Sequence, residues 1–241
     1  MASDKKIQTR KGDAPASARS SAGEVEDFLA KVRDLAPAGN KEGSGRGRMI
    51  FALDATMSRQ PTWDRAMHLQ AEMFDEAARV GGLDIQLVYF RGFNECRASG
   101  WVSNGRRLRD LMTQIQVRGG HTQIGRVLAH ARKETKRKGV QVLVYIGDAL
   151  EEKIDDLAAT AGELGMLGVK VFVFQEGRDP VVERGFREIA RLTGGAYARF
   201  DTSAAHQLAE LLRAAAVYAA GGRKALANAG HGGRLLLEQL K

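Results

Sequence analysis

The stretch MIFALD (49–54), continued by Ala55, Thr56, Met57 and Ser58, decides how the chain is read. Five apolar residues of strand length end in a carboxylate, with two hydroxyls following at alternate positions. This is the pattern of a strand buried on both faces whose C-terminal end carries oxygen donors. VQVLVYIGD (140–148) repeats the pattern as the strongest central strand and again ends in an aspartate. Around these two, DIQLVYF (84–90), VKVFVF (169–174) and AYARF (196–200) read as further strands. Longer amphipathic segments separate them. One is opened by Pro61 and carries Trp63, Ala66, Met67, Met73, Phe74 and Ala77 on one face. Others lie near 105–116, 122–138, up to 167, 181–192 and 204–219. ECRASGW (95–101), reached through a polar turn at Gly92 and Asn94, reads as a weak strand paired antiparallel. The alternation predicts an α/β fold: a doubly wound, mostly parallel sheet with one antiparallel edge strand and helices on both faces.

Composition narrows the function classes. The chain has 241 residues, 44% hydrophobic and 27% charged, as expected of a globular domain with extensions and not of a chain disordered throughout. A single cysteine, Cys96, excludes an internal disulfide or a thiolate zinc site and fits a reducing, cytoplasmic setting. No apolar run reaches the roughly 18–20 residues needed to span a bilayer, and MASDKKIQTRKGD lacks the apolar core of a signal peptide. No membrane insertion is expected. Thirty-seven Lys and Arg against 29 Asp and Glu give +8, which raises the question of nucleic acid. Part of this excess lies before residue 49, with ten Lys and Arg against seven acids. The densest cluster, Arg132, Lys133, Lys136, Arg137 and Lys138, closes a predicted helix, where the dipole favours cations. RNA motifs and interleaved aromatics are missing, so nucleic acid is disfavoured as a partner.

The chain divides by composition into five parts. Residues 1–20 form a polar basic arm without apolar period, predicted to be disordered. Residues 21–36 form a short amphipathic helix, with Ser21 and Glu24 as a capping box and Val25, Phe28, Leu29, Val32 and Leu35 on one face. Residues 37–48 read as a flexible linker, residues 49–220 as the main domain, and residues 221–241 as a glycine-tethered tail ending in LLLEQLK.

In a doubly wound sheet, ligands bind beyond the carboxyl ends of the strands where the strand order reverses. Asp54, Thr56 and Ser58 follow the first strand, and Asp148 ends the second central one. Gly119 and Gly120 allow a sharp loop that brings Thr122 beside them. Two carboxylates and three hydroxyls are hard oxygen donors, which suit Mg²⁺ or Mn²⁺ and disfavour zinc. Two aspartates balance the ion's charge, so it stays electrophilic enough to accept one further carboxylate from outside. That chemistry belongs to adhesion more than to catalysis.

These residues resemble the von Willebrand factor A domains and their metal-ion-dependent adhesion site, whose pattern is Asp-x-Ser-x-Ser after the first strand, a distant Thr, and an Asp after the fourth strand. Asp54, Thr56 and Ser58 match the first element, Thr122 in GGHTQIG the second, and Asp148 in YIGDA the third. The resemblance runs from about Met49 to Ala219. Thr56 stands where the family has its first Ser, adding a methyl, and Ala149 where many members have Gly. The resemblance implies a binding module, not an enzyme, with Asp54, Thr56, Ser58, Thr122 and Asp148 as metal site and a partner protein that offers a carboxylate. Intracellular members of the family often serve as adaptors in multi-protein machines, including those built around ring-shaped ATPases or chaperones.

Rival readings differ at identifiable positions. A haloacid-dehalogenase-type phosphohydrolase also begins with a buried strand ending in Asp and uses Mg²⁺. It needs a second Asp where Thr56 stands, and so would lack its general acid. Taken singly, Thr122 and Ser58 are expected helix caps, and His121 a solvent-facing loop residue. Glu151 and Glu152 are expected in the first turn of the next helix. Cys96 is expected to be inert and Trp101 to cover the sheet end.

Overall fold

The computed structural model describes residues 46–56, 62–68, 74–75, 82–200 and 205–228. The predicted arm, the helix at 21–36, most of the linker and the LLLEQLK segment lie outside these residues, as does Ser58. Six strands form one sheet: β1 (Gly47–Asp54), β2 (Leu83–Arg91), β3 (Glu95–Val102), β4 (Val142–Gly147), β5 (Lys170–Glu176) and β6 (Ala196–Phe200). Their spatial order is β3-β2-β1-β4-β5-β6, parallel throughout except for β3. The predicted fold class is therefore the observed one.

The two-residue period of the central strands explains how both faces are covered. From β1, Met49, Phe51 and Leu53 enter one core and Ile50 and Ala52 the other; from β4, Val142, Val144 and Ile146 oppose Leu143 and Tyr145. Three helical elements cover the first face: α1 (62–68, with helical residues again at 74–75), α2 (Gly105–Thr113) and α6 (Ala205–Asn228). The second face is covered by α3 (Ile124–Arg137), α4 (Ile154–Met166) and α5 (Pro180–Leu192). Asp179 caps α5 by accepting the N–H groups of Val181 and Val182, with Pro180 at the first helical position.

Two boundaries differ from the sequence reading. The linker expected to run to residue 48 gives way to β1 at Gly47, because Arg48 is 7% exposed and enters the fold. Its guanidinium stacks 3.7 Å from the Trp101 ring centroid and lies 3.7 Å from Glu134. The helix expected to end before 221 continues to Asn228 across a kink at Gly222, whose φ of 62° only glycine adopts readily. At the antiparallel edge, β3 pairs with β2 across a bulge between Gln86 and Val88. There the Ser99 hydroxyl accepts the Leu87 N–H at 3.0 Å, and the Ser99 carbonyl accepts the Gln86 amide at 2.8 Å. Among the described residues no helix is long and apolar enough to cross a membrane.

Candidate metal centre

The chain leaves β1 for β2 on one side and later returns to β4 on the other, so the order reverses between β1 and β4. Leu53 pairs with Ile146, which places Asp54 and Asp148 at the same edge of adjacent strands. Asp54 is 3% exposed, and its Oδ1 accepts the backbone N–H of Thr56 at 2.8 Å, closing the turn after β1. The Arg118 N–H donates to the Ala55 carbonyl at 2.9 Å, which ties the 115–121 loop to this turn. Asp54, Thr56, Thr122 and Asp148 all line one open pocket of about 220 Å³, together with Gly119, Gly120, Ala149 and Glu151.

Gly119 and Gly120 serve the loop unequally. A Cβ on Gly119 would meet nothing, whereas one on Gly120 would lie 2.1 Å from the Gly92 carbonyl oxygen. Only glycine lets the loop pass the β2–β3 turn at this distance. Beyond it, Thr122 does not cap α3 as expected. Gln123 occupies the N-cap position without a side-chain capping bond, and a first-turn N–H, that of Gly125, turns to the loop after β4 together with the N–H of Thr122 before the cap. Glu151 accepts the Thr122 N–H at 2.7 Å and Glu152 the Gly125 N–H at 3.0 Å.

Sequence reasoning missed this role of the two glutamates. Both precede α4, which starts at Ile154 with Asp155 and Asp156 in its first turn; Glu152 caps the neighbouring helix instead, and Glu151 holds the residue before its N-cap. The pairings span 27 to 30 residues, so no local pattern signals them. Acids are favoured at this positive helix end, and the Thr122 N–H, then His121, hold the Glu151 carboxyl below the ordinary glutamate range. His121 is solvent-facing as expected, with its Nδ1 3.1 Å from Glu151 and its ring edge-on to Phe93.

The Thr122 hydroxyl donates to Glu152 at 2.5 Å and accepts the Glu151 N–H at 3.0 Å. A hydroxyl has one proton and two lone pairs, so one lone pair is left over. Among the described residues, no group of three or more His, Cys, Asp and Glu could hold a metal ion. A cation at this edge therefore depends on hydroxyl oxygens beside Asp54 and Asp148. The hard-oxygen donor set lining the pocket fits Mg²⁺ or Mn²⁺ in chemistry.

No family model matches the chain, and no curated protein does. Similar solved structures include the SpRpn10 VWA domain, at 14% identity and TM-score 0.55, covering 70% of this chain and 94% of that one. Proximal thread matrix protein 1 from the mussel byssus, with a zinc-occupied MIDAS motif, is 17% identical at TM-score 0.57, covering 71% of this chain and 46% of that one. The human COPII-coat protein Sec24c is 14% identical at TM-score 0.55, covering 73% and 33%. At such identities the likeness is one of fold. Strand order, the helices on both faces and these likenesses agree that the chain has the fold of a von Willebrand factor A domain.

Proposed function

We propose that the chain is a protein-interaction module, not an enzyme, which holds Mg²⁺ or Mn²⁺ through Asp54, Thr56, Ser58, Thr122 and Asp148. The observation that carries this reading is the lining of one pocket at the strand-order switch by four of these five residues. A divalent cation bound there supplies an electrophilic position for a carboxylate of a partner protein. The chain's own residues prepare that position. Asp54 is oriented by the Thr56 N–H. Thr122 turns its proton away toward Glu152. The zinc-occupied motif of the mussel byssus protein supports a divalent cation on this fold, whereas the hard-oxygen set favours Mg²⁺ or Mn²⁺ here. We further assign the module to the cytoplasm, as an adaptor in a multi-protein assembly of the ATPase or chaperone kind.

Thermal unfolding tests the reading. A ligand that binds only the folded state stabilises it by mass action, about 1.4 kcal/mol at ten times its Kd, or a few degrees in Tm. Millimolar Mg²⁺ should raise the Tm of the wild type and leave that of Asp54→Ala and Asp148→Ala unchanged. Equal responses from all three proteins overturn the assignment.

A further inference from the structure

Phe93 is 72% exposed, yet its position is fixed. It occupies the turn between β2 and β3, and that turn is strapped to the segment that follows Gly120. The His121 N–H donates to the Gly92 carbonyl at 3.2 Å, and the Gln123 amide bonds the Arg91 and Gly92 carbonyls at 3.2 and 3.3 Å. Arg126 holds the Asn94 carbonyl at 2.7 Å and its side-chain oxygen at 3.2 Å. The Phe93 ring meets His121 edge-on, with centroids 5.1 Å apart and planes at 63°. His121 in turn lies 3.1 Å from Glu151, which lines the pocket. The His121 imidazole therefore links an exposed aromatic ring to Glu151 in the lining of the candidate cation site.

Single exposed apolar residues are common on protein surfaces. What distinguishes Phe93 is a rigid backbone at the rim of a pocket. Aromatic anchors dominate interface energetics, and a preordered anchor loses little freedom when it is covered. Exposed Arg118, next in the chain to pocket-lining Gly119, brings a cation to this loop for an acidic segment, set against the Glu151 carboxylate that also lines the pocket.

We propose that Phe93 and His121 form an apolar shelf that reads the neighbour of the docking carboxylate. The partner segment is extended and carries an Asp or Glu with a large apolar side chain two positions away. In an extended chain side chains two positions apart share a face and lie about 6.6 Å apart, so the second can rest on a shelf beside the pocket that takes the first. The shelf rests on the cation-site reading above.

The test is selection from a random library of linear heptapeptides on the immobilised full-length chain, in Mg²⁺ and in EDTA, with Phe93→Ser and Phe93→Leu in parallel. The wild type in Mg²⁺ should enrich acidic residues with Leu, Ile, Phe, Tyr or Trp two positions away. Phe93→Ser should keep the acidic preference and lose the apolar one, and Phe93→Leu should keep both. For a selected peptide, Phe93→Ser should weaken Kd by roughly tenfold. Acidic enrichment without apolar neighbours, or an apolar preference unchanged in Phe93→Ser, overturns the shelf and leaves the cation site standing. Enrichment without acids, or unaffected by EDTA, overturns both.

Discussion

Thr122 and Glu152 hold each other at 2.5 Å across 30 residues of sequence, the hydroxyl donating and the carboxylate accepting. Since Glu152 also takes the Gly125 N–H, one side chain fixes both the rotamer of Thr122 and the start of α3. The loop after β4 thereby sets the geometry of a donor that lies in a different loop.

Thr122→Val keeps the shape and deletes the hydroxyl, leaving Glu152 and the Glu151 N–H each short of a partner. Loss of part-buried hydrogen bonds of this kind destabilises by about 0.5–1.5 kcal/mol. The variant should unfold earlier than the wild type in EDTA and should gain no stability from Mg²⁺. Thr122→Ser should restore both properties, as read by thermal melts with and without the ion.

Gly120→Ala and Gly119→Ala form a matched pair. The first drives a Cβ to 2.1 Å from the Gly92 carbonyl, whereas the second meets nothing within 4 Å. Overpacking against backbone costs roughly 1–3 kcal/mol, and a surface change free of contact stays within about 0.5 kcal/mol. Urea denaturation should separate the two variants by at least the difference. A Gly120→Ala protein as stable as Gly119→Ala would mean the two loops are not pressed together.

Glu95 contributes one measurable part of the acid dependence. Its hydrogen bond to Arg91, followed by that to Arg97, lowers its pKa from 4.5 to about 2. A depressed folded-state value stabilises above the unfolded pKa and fades as pH falls through the folded one. The stability difference between wild type and Glu95→Gln should therefore be constant near neutrality. It should narrow as the pH drops from 4.5 toward 2. A difference that widens on acidification contradicts the ion pair.

Burial pushes the Cys96 thiol up to about 11. Near pH 8 its thiolate fraction is then roughly one in a thousand, against about a quarter for a free cysteine. Alkylation of the folded protein by iodoacetamide should run about two orders of magnitude slower than that of the urea-unfolded chain. Equal rates would place the thiol in solvent.

The parts legible in the sequence were those in which one local pattern carries the whole signal. Met49–Leu53 of β1 and Val142–Ile146 of β4 are apolar without interruption because helices cover both faces, and Asp54 at the end of β1 and Asp148 just after β4 mark the strand ends directly. Asp54 and Asp148 follow from those strand ends and line one pocket with Thr56 and Thr122, whereas Ser58 lies outside the described residues. The misread parts depend on partners far along the chain. Arg48 looks like linker until Trp101 and Glu134 are seen around it. Glu151 and Glu152 look like caps of their own helix, and the Gly221-Gly222 pair reads as a stop where the chain only kinks.

The bulge in β3 bears on how this sheet meets other molecules. A regular edge strand offers a row of amide and carbonyl groups to which a foreign strand can add. Here the ladder shifts register at Gln86/Val88, side chains of Gln86 and Ser99 fill the gap, and Arg97 with Glu95 crowds the rim with charge. At the opposite edge, four of the five residues of β6 are buried. Neither margin presents a flat template, so the sheet resists templated growth into fibrils.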